Sequence, residues 1–455
     1  MSTETLPQRI HYVYWFQAFN AVSWQICLGS PLILFARELG APAVVLGLLA
    51  GLAPLTSILQ LFMAPHAERI GYRRLMLSGW SARVVTLLFL AALPLTAGYL
   101  PAPAIIGLLI AILFVFTTLR GVATCAWLPW ITAIVPRSLR GAYLSRDRMF
   151  ISLATVAALA VAGTFLTDAD NMRAYAVVFG LSFAGGAASL YFLNRIPEPA
   201  RAAPAAAQIQ PSRWRDLLHD EPFVHLLVFS VVVQVVVLST GTFVTIFVRE
   251  EVHLQDGPIL WLTSGASLVG MLALHLLRSR VDRLGSRPFL GVAFLWWAVY
   301  LLAWFFLAAH LVSGAQVIAP LLMLGAGFFT SMYELALTRL LMNTAGDRPA
   351  TTQYFALQSV VVSILAGLAP MLWGWLLDYL RTVHILAGAI TLNGYALFFG
   401  LQWVLLGLVF LALMQVREGS ATSTSALLYR ALISRPGQLM AVPVRRRVRV
   451  RRRRR

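Results

Sequence analysis

Two ionisable side chains stand deep inside long apolar runs, Arg120 and Glu334. Taken as helices, both runs carry polar stripes, because residues three and four apart share a helical face. Thr117, Arg120, Thr124 and Trp127 fall on one such stripe, and Gly327, Thr330, Ser331, Glu334 and Thr338 on another. A guanidinium backed by hydroxyls and an indole can hold a polar group, and a lone carboxyl group can load and release a proton. Glu334 is therefore the candidate proton carrier if a proton drives what the chain does, and a proton-independent process stays open. An alternative is a structural ion pair between Arg120 and Glu334.

The remaining sequence narrows the chemistry by what it lacks. It has no Gly-x-x-x-x-Gly-Lys phosphate loop, no His-Glu-x-x-His metal site and no Gly-x-Ser-x-Gly elbow. The eight histidines are scattered, and Cys27 and Cys125 lie singly in apolar runs, where they read as small packing residues. We expect no enzyme activity, no cofactor and no bound metal.

The elements that must position these residues are membrane spans. Of 455 residues, 59% are hydrophobic and 12% charged, far more apolar than a soluble domain. A span needs about twenty mostly apolar residues. Twelve such runs occur, near 12–36, 42–64, 75–97, 103–134, 149–167, 173–194, 222–248, 258–277, 288–310, 316–342, 354–379 and 385–416. Continuous apolarity argues for helices, since barrel strands would alternate over about ten residues. The first run is too long for a signal-peptide core and reads as the first span.

The loops supply orientation. One alternate set holds sixteen arginines: Arg69, Arg73, Arg74, Arg137, Arg140, Arg146, Arg148, Arg195, Arg201, Arg213, Arg215, Arg278, Arg280, Arg283, Arg287 and Arg348. The opposite set holds Arg37, Arg173, Arg249 and Arg381. The positive-inside rule then places both termini in the cytoplasm. The chain divides into a six-helix bundle over 1–194, a Pro- and Ala-rich linker over 195–221, a second bundle over 222–416 and a basic tail over 417–455. Much of the net charge of +18 sits in the arginine-rich 445–455. That tail reads as solvated or touching anionic lipid heads, and we expect no nucleic acid as a partner. All basic residues counted as Lys+Arg are Arg, which fits a GC-rich bacterial genome and hence a plasma membrane location.

The two halves repeat one another. Phe35-Ala36-Arg37-Glu38 returns as Phe247-Val248-Arg249-Glu250, and Glu68-Arg69-Ile70-Gly71-Tyr72-Arg73 returns as Asp282-Arg283-Leu284-Gly285-Ser286-Arg287. The offsets agree to within a few residues and fall at equivalent topological places. Six spans per half make this a parallel repeat about an axis along the membrane normal. The second motif pair, in the loops after the second and eighth spans, resembles the loop signature of the major facilitator superfamily, with Ala64 and Arg278 standing where the family has glycine. The residues themselves, Glu68, Arg69, Gly71, Arg73, Asp282, Arg283, Gly285 and Arg287, read as gating loops in which each Gly lets the backbone turn.

That resemblance implies an all-α membrane protein of twelve transmembrane helices in two six-helix bundles, with the first, fourth, seventh and tenth helices lining a central cavity. It adds Asn20, Trp24 and Gln25 from the first span and Gln234 and Thr242 from the seventh to the residues named above. Amides and aromatics near a midplane suit a small polar or amphipathic organic solute better than a bare ion. The function implied is secondary transport by alternating access, in a monomer, with a non-transporting scaffold or sensor as the competing class. Arg83, about nine residues into the third span, is expected to snorkel to the surface, and Asp378 to serve structure.

Overall fold

A computed structural model describes residues 9–135, 140–167, 172–197, 217–345, 351–382, 385–387 and 390–416. Eleven helical segments are long and apolar enough to cross a membrane. The twelfth crossing is the second in chain order, which is split into Ala43–Ser57 and Leu59–Ile70. Pro54 lies inside the first piece and can donate no hydrogen bond to the preceding turn. The Thr56 hydroxyl bonds the carbonyls of Leu52 and Ala53, and that of Ser57 bonds Pro54. The fold is that of twelve transmembrane helices in two six-helix bundles.

Breaks recur where the repeat places them. The first span is two helices, His11–Leu28 and Ser30–Glu38, joined at Gly29. A side chain at Gly29 would place its Cβ 2.3 Å from the Gln25 carbonyl oxygen, so only glycine fits this break. The seventh span breaks at the matching depth, between Glu221–Val236 and Gly241–Glu250, through a short 3-10 turn. The fourth span also breaks, between Ala102–Thr124 and Trp127–Ile134, whereas its counterpart, the tenth, runs unbroken over Ala315–Ala345.

The third, fifth and sixth spans are the helices Tyr72–Ala92, Arg140–Phe165 and Met172–Leu193. The eighth, ninth and eleventh are Asp256–Leu284, Arg287–Ala308 and Thr351–Leu380. The final run was expected to be helical from 385. Instead, Ile385–Ala387 and Ile390–Leu392 pair as antiparallel strands, and the twelfth span is Gly394–Gln415. Asn393 sets that start, its side chain accepting the Ala396 amide at 2.8 Å, a standard N-cap. Most of the 195–221 linker, the loop at 346–350 and the 417–455 tail lie outside the described residues.

The halves meet through two helix pairs that the repeat interchanges, the second with the eleventh and the fifth with the eighth. Small residues bring the backbones together. A Cβ on Gly51 would lie 2.2 Å from the Gly367 carbonyl oxygen, and one on Gly257 would lie 2.6 Å from that of Gly163. Helices in lipid associate by such close packing because apolar burial alone gives no preference over lipid. Below, the membrane end that carries the linker is called the linker face, and the opposite end the distal face.

Candidate functional site

Arg120 lies about 27 Å along the fourth span from Ala102 and about 21 Å from Ile134, at 1.5 Å per residue. Protein surrounds it on nearly every side, yet part of its surface stays open. Its guanidinium lies over the Trp24 ring, 4.0 Å from the centroid. No carboxylate pairs with it among the described residues. Asn20, Trp24 and Gln25 line up beside it on the first span, all half-buried.

Arg83 departs from expectation. It does not snorkel but is fully buried, at 0% exposure. Its Nη2 donates to Asn20 Oδ1 at 2.8 Å, and the rings of Trp80 and Phe116 flank it at 4.5 and 4.7 Å. These aromatic faces attract a desolvated cation and hold the side chain inward. Its Nε and Nη1 have no hydrogen-bond partner among the described residues. It is close enough to Arg120 for the two charges to repel. Position in the span concealed this residue. The only available signal was an arginine one turn after Trp80 in an apolar helix.

The residues of the two stripes differ in how much surface they leave open. Thr117 is fully buried, its hydroxyl donating to Leu113 O at 2.8 Å on its own helix. Thr124 likewise bonds Arg120 O at 2.9 Å, and Trp127 packs against Phe16 with centroids 4.8 Å apart. On the tenth span, Gly327 and Ser331 pack against Ala266 and Gly270 of the eighth. Thr330 is half-buried, while Glu334 and Thr338 are open. The charge that Glu334 feels is that of Arg148 on the fifth span, in the other half, and it forms no ion pair with Arg120 among the described residues. On the seventh span Gln234 and Thr242 are half-buried.

The distal face is closed by charge. Arg37 pairs with Glu250, and Arg249 pairs with Glu38. Under the repeat, Arg37 is equivalent to Arg249 and Glu38 to Glu250, so each half's arginine holds the other half's glutamate. Arg381 reaches Glu250 at 2.7 Å, and the Tyr395 hydroxyl donates to the same carboxylate at 2.5 Å. Arg249 Nε also meets the buried Asp256 at 3.0 Å, and Asp256 accepts from the Tyr175 hydroxyl. Asp378 of the eleventh span caps the second, its two oxygens accepting from the Ala43 and Val44 amides at 2.9 Å each. A carboxylate there suits the positive end of a helix. Deeper in, Trp261 Nε1 donates to Ala160 O at 3.1 Å and Ser264 to Val156 O at 2.9 Å. The repeated Phe-x-Arg-Glu motif thus forms a reciprocal clasp, which its sequence had marked only as a repeat.

At the linker face, Gly71 and Gly285 both take positive φ, +92° and +88°, as the gating-loop motif requires. Arg73 donates to Asn194 O at 2.8 Å and Asn194 Oδ1 at 2.9 Å, and its repeat mate Arg287 donates to Met414 O at 3.3 Å. Each ties the start of a third-type helix to the end of the sixth-type helix in its own half. Arg69 is exposed. The side chains of Glu68, Asp282 and Arg283 lie outside the described residues.

This arrangement, two repeated bundles sealed at one face around buried polar groups, defines a membrane transporter. The Major Facilitator Superfamily model matches residues 13–359, and the chain belongs to that family, whose members are secondary transporters. Among solved structures, a D-xylose-proton symporter is 15% identical, with a TM-score of 0.66 over 91% of this chain and 97% of its own. A bacterial homologue of the human lysosomal transporter Spinster, inward-facing and unoccupied, is 15% identical, with a TM-score of 0.65 over 91% and 98%. The nucleoside transporter NupG is 11% identical, with a TM-score of 0.63 over 89% and 98%. At these identities the likeness is one of fold. No curated protein matches the chain.

Proposed function

We propose that this chain carries a small polar or amphipathic organic solute across the membrane by alternating access, through a cavity between its two halves that opens at the linker face. The observation that carries the reading is the placement of Glu334. It is enclosed by protein yet open, and it feels Arg148 of the opposite half without an ion pair being formed. A carboxylate turned to lipid is costly, on the order of 2.5–3.5 kcal/mol, so the space between these helices is read as water-filled. The inter-half contacts at the distal face complete an inward-type arrangement. The gating loops, with Glu68 and Asp282, are read as the opposing latch that forms when the linker face closes. Glu334 is the candidate proton carrier. The bundles are taken as 1–194 and 222–416, and the protein as a monomer of a bacterial plasma membrane with linker face and tail cytoplasmic. The arginine asymmetry of the loops supports that orientation, and the tail's arginines suit anionic lipid heads.

The test is flux in proteoliposomes against a metabolite panel, with Glu334→Gln beside the parent. Solute uptake by the parent, with proton-driven accumulation lost in the variant, is the expected result. A reconstituted protein that binds solutes but moves none supports the scaffold reading instead. Orientation is checked with single cysteines at Ser212 and Asp347 in a background lacking Cys27 and Cys125. Both are expected to react only from the cytoplasmic side, and labelling in intact cells by an impermeant reagent reverses the assignment.

A further inference from the structure

We propose that the solute is an organic anion whose carboxylate docks on the first half of the cavity, against Arg120, Asn20 and Trp24. This rests on the transport reading above and names its substrate class. The argument begins with an imbalance of charge. Arg83 and Arg120 are both enclosed deep in the first half, they repel one another, and no carboxylate pairs with either among the described residues. Cations in such a setting need a counter-charge. The remaining acids stand elsewhere: Asp147 is near the linker end of the fifth span, one oxygen accepting from Gln17 at 3.4 Å and the other without a partner among the described residues, and Glu334 stands on the opposite half near Arg148.

Hydrogen-bond polarity points the same way. Arg83 takes one of the two acceptor positions of Asn20 Oδ1, while the Asn20 amide keeps both of its N–H donors to present. Arg120 offers five donors and no acceptor, and Trp24 an indole N–H. Beside the Gln25 amide, which can both donate and accept, this part of the wall presents mainly donors. A planar guanidinium matches a carboxylate in a two-bond fork, and its stacking on Trp24 fixes the plane of that fork without consuming its donors. Arg83, with no open surface of its own, acts as a positioning residue: it orients Asn20 and adds positive potential behind Arg120. Glu334 across the cavity disfavours a second carboxylate at the other end of the solute, so a monoanion with a neutral or cationic remainder fits best.

The test uses the purified full chain in nanodiscs and reads binding by thermal midpoint and Trp fluorescence. The probes are formate, acetate, benzoate and nicotinate against formamide, acetamide, benzamide and nicotinamide at matched ionic strength. At least one carboxylate is expected to raise the midpoint while its amide does not, with affinity at least ten-fold weaker in Arg120→Met and partly kept in Arg120→Lys. Asn20→Asp, which places an anion where the amide stood, is expected to weaken the same carboxylate while leaving the fold intact. Without any ligand, Arg120→Met is expected to raise the midpoint, because an uncompensated cation is removed. No carboxylate effect, equal effects of acid and amide, or a lowered midpoint in unliganded Arg120→Met overturns the proposal. Proteoliposome flux separates the two readings. Flux of neutral solutes alone removes the anion inference and leaves transport standing, whereas anion binding without flux of any solute does the reverse.

Discussion

The distal face and the membrane midplane both concentrate charge, but they use it in opposite ways. At the distal face Arg37, Arg249 and Arg381 all meet carboxylates, and Glu38, Glu250 and Asp256 all meet cations. At the midplane, among the described residues, Arg83 and Arg120 have only aromatic faces and one amide oxygen between them. Partners satisfied within the protein hold one conformation together. Partners absent from the protein mark a place where something else supplies them. On the proposal made above, the same residue types serve as a clasp in one region and a receptor in the other.

The sharpest way to break this comparison is to remove the midplane charge. Arg120→Met is expected to abolish flux, by about a hundred-fold or more, while expression and fold persist, because an ionic contact to a desolvated charge is worth several kcal/mol. If Arg120 instead serves a structural pair with Glu334, the double variant with Glu334→Gln recovers transport. Flux at the parent's rate in Arg120→Met removes the site assignment.

Next in size is steric wedging of the distal seal. In Gly51→Val the new Cβ falls 2.2 Å from a backbone oxygen of Gly367, a clash that no side-chain rotation relieves. The distal-sealed state is expected to be lost and transport with it, while the bundles fold separately. An impermeant maleimide reports this through a cysteine at Ser239, which is buried in the sealed state. Unchanged protection of that cysteine refutes the seal.

A smaller effect distinguishes the two glutamates of the clasp. The repeat makes Glu38 and Glu250 equivalent, yet among the described residues Glu250 holds Arg37, Arg381 and Tyr395 while Glu38 pairs with Arg249. These groups are partly solvent-exposed, so each contact is discounted for screening to about 1 kcal/mol or less. Glu250→Gln is expected to shift the open-to-sealed ratio by roughly five- to thirty-fold, the equivalent of about 1–2 kcal/mol, and Glu38→Gln by less. Equal shifts in the two variants, read by the same labelling rate, show that the clasp is no more than the sum of two symmetric pairs.

Much of this fold was legible because apolar length and arginine asymmetry are statistics of whole segments. The twelve spans, the repeat and the glycines of the gating loops follow from them, and Gly71 and Gly285 take the positive φ expected. Chemistry at single positions was less legible. Spacing gave Thr117 and Ser331 a face but could not say whether that face met a cavity or another helix, since small polar residues serve both. Depth along the chain misjudged Arg83 for a related reason: its direction is set by Trp80, Phe116 and Asn20, which come from three different spans. The break of the second span and the strand pair before the twelfth likewise depend on local backbone chemistry that an apolar count ignores.

Thr117 supplies the smallest expected effect and the cleanest control. It sits three residues before Arg120 on the same predicted stripe, so a reading by periodicity alone gives both residues to the solute. In the structure its hydroxyl is fully buried and bonds Leu113 O at 2.8 Å, a carbonyl that the helix already engages. Thr117→Val keeps the shape, removes one redundant donor and leaves no polar atom stranded on the side chain. Such back-bonding to the preceding turn contributes little and slightly bends helices. The stability change is therefore expected to stay within about 1 kcal/mol in either direction, with flux and anion affinity at parental values. Loss of transport in this variant, measured beside Arg120→Met in the same vesicles, means that the fourth span turns another face to the cavity than the one described, and that the contrast between satisfied and unsatisfied polar groups does not locate the site.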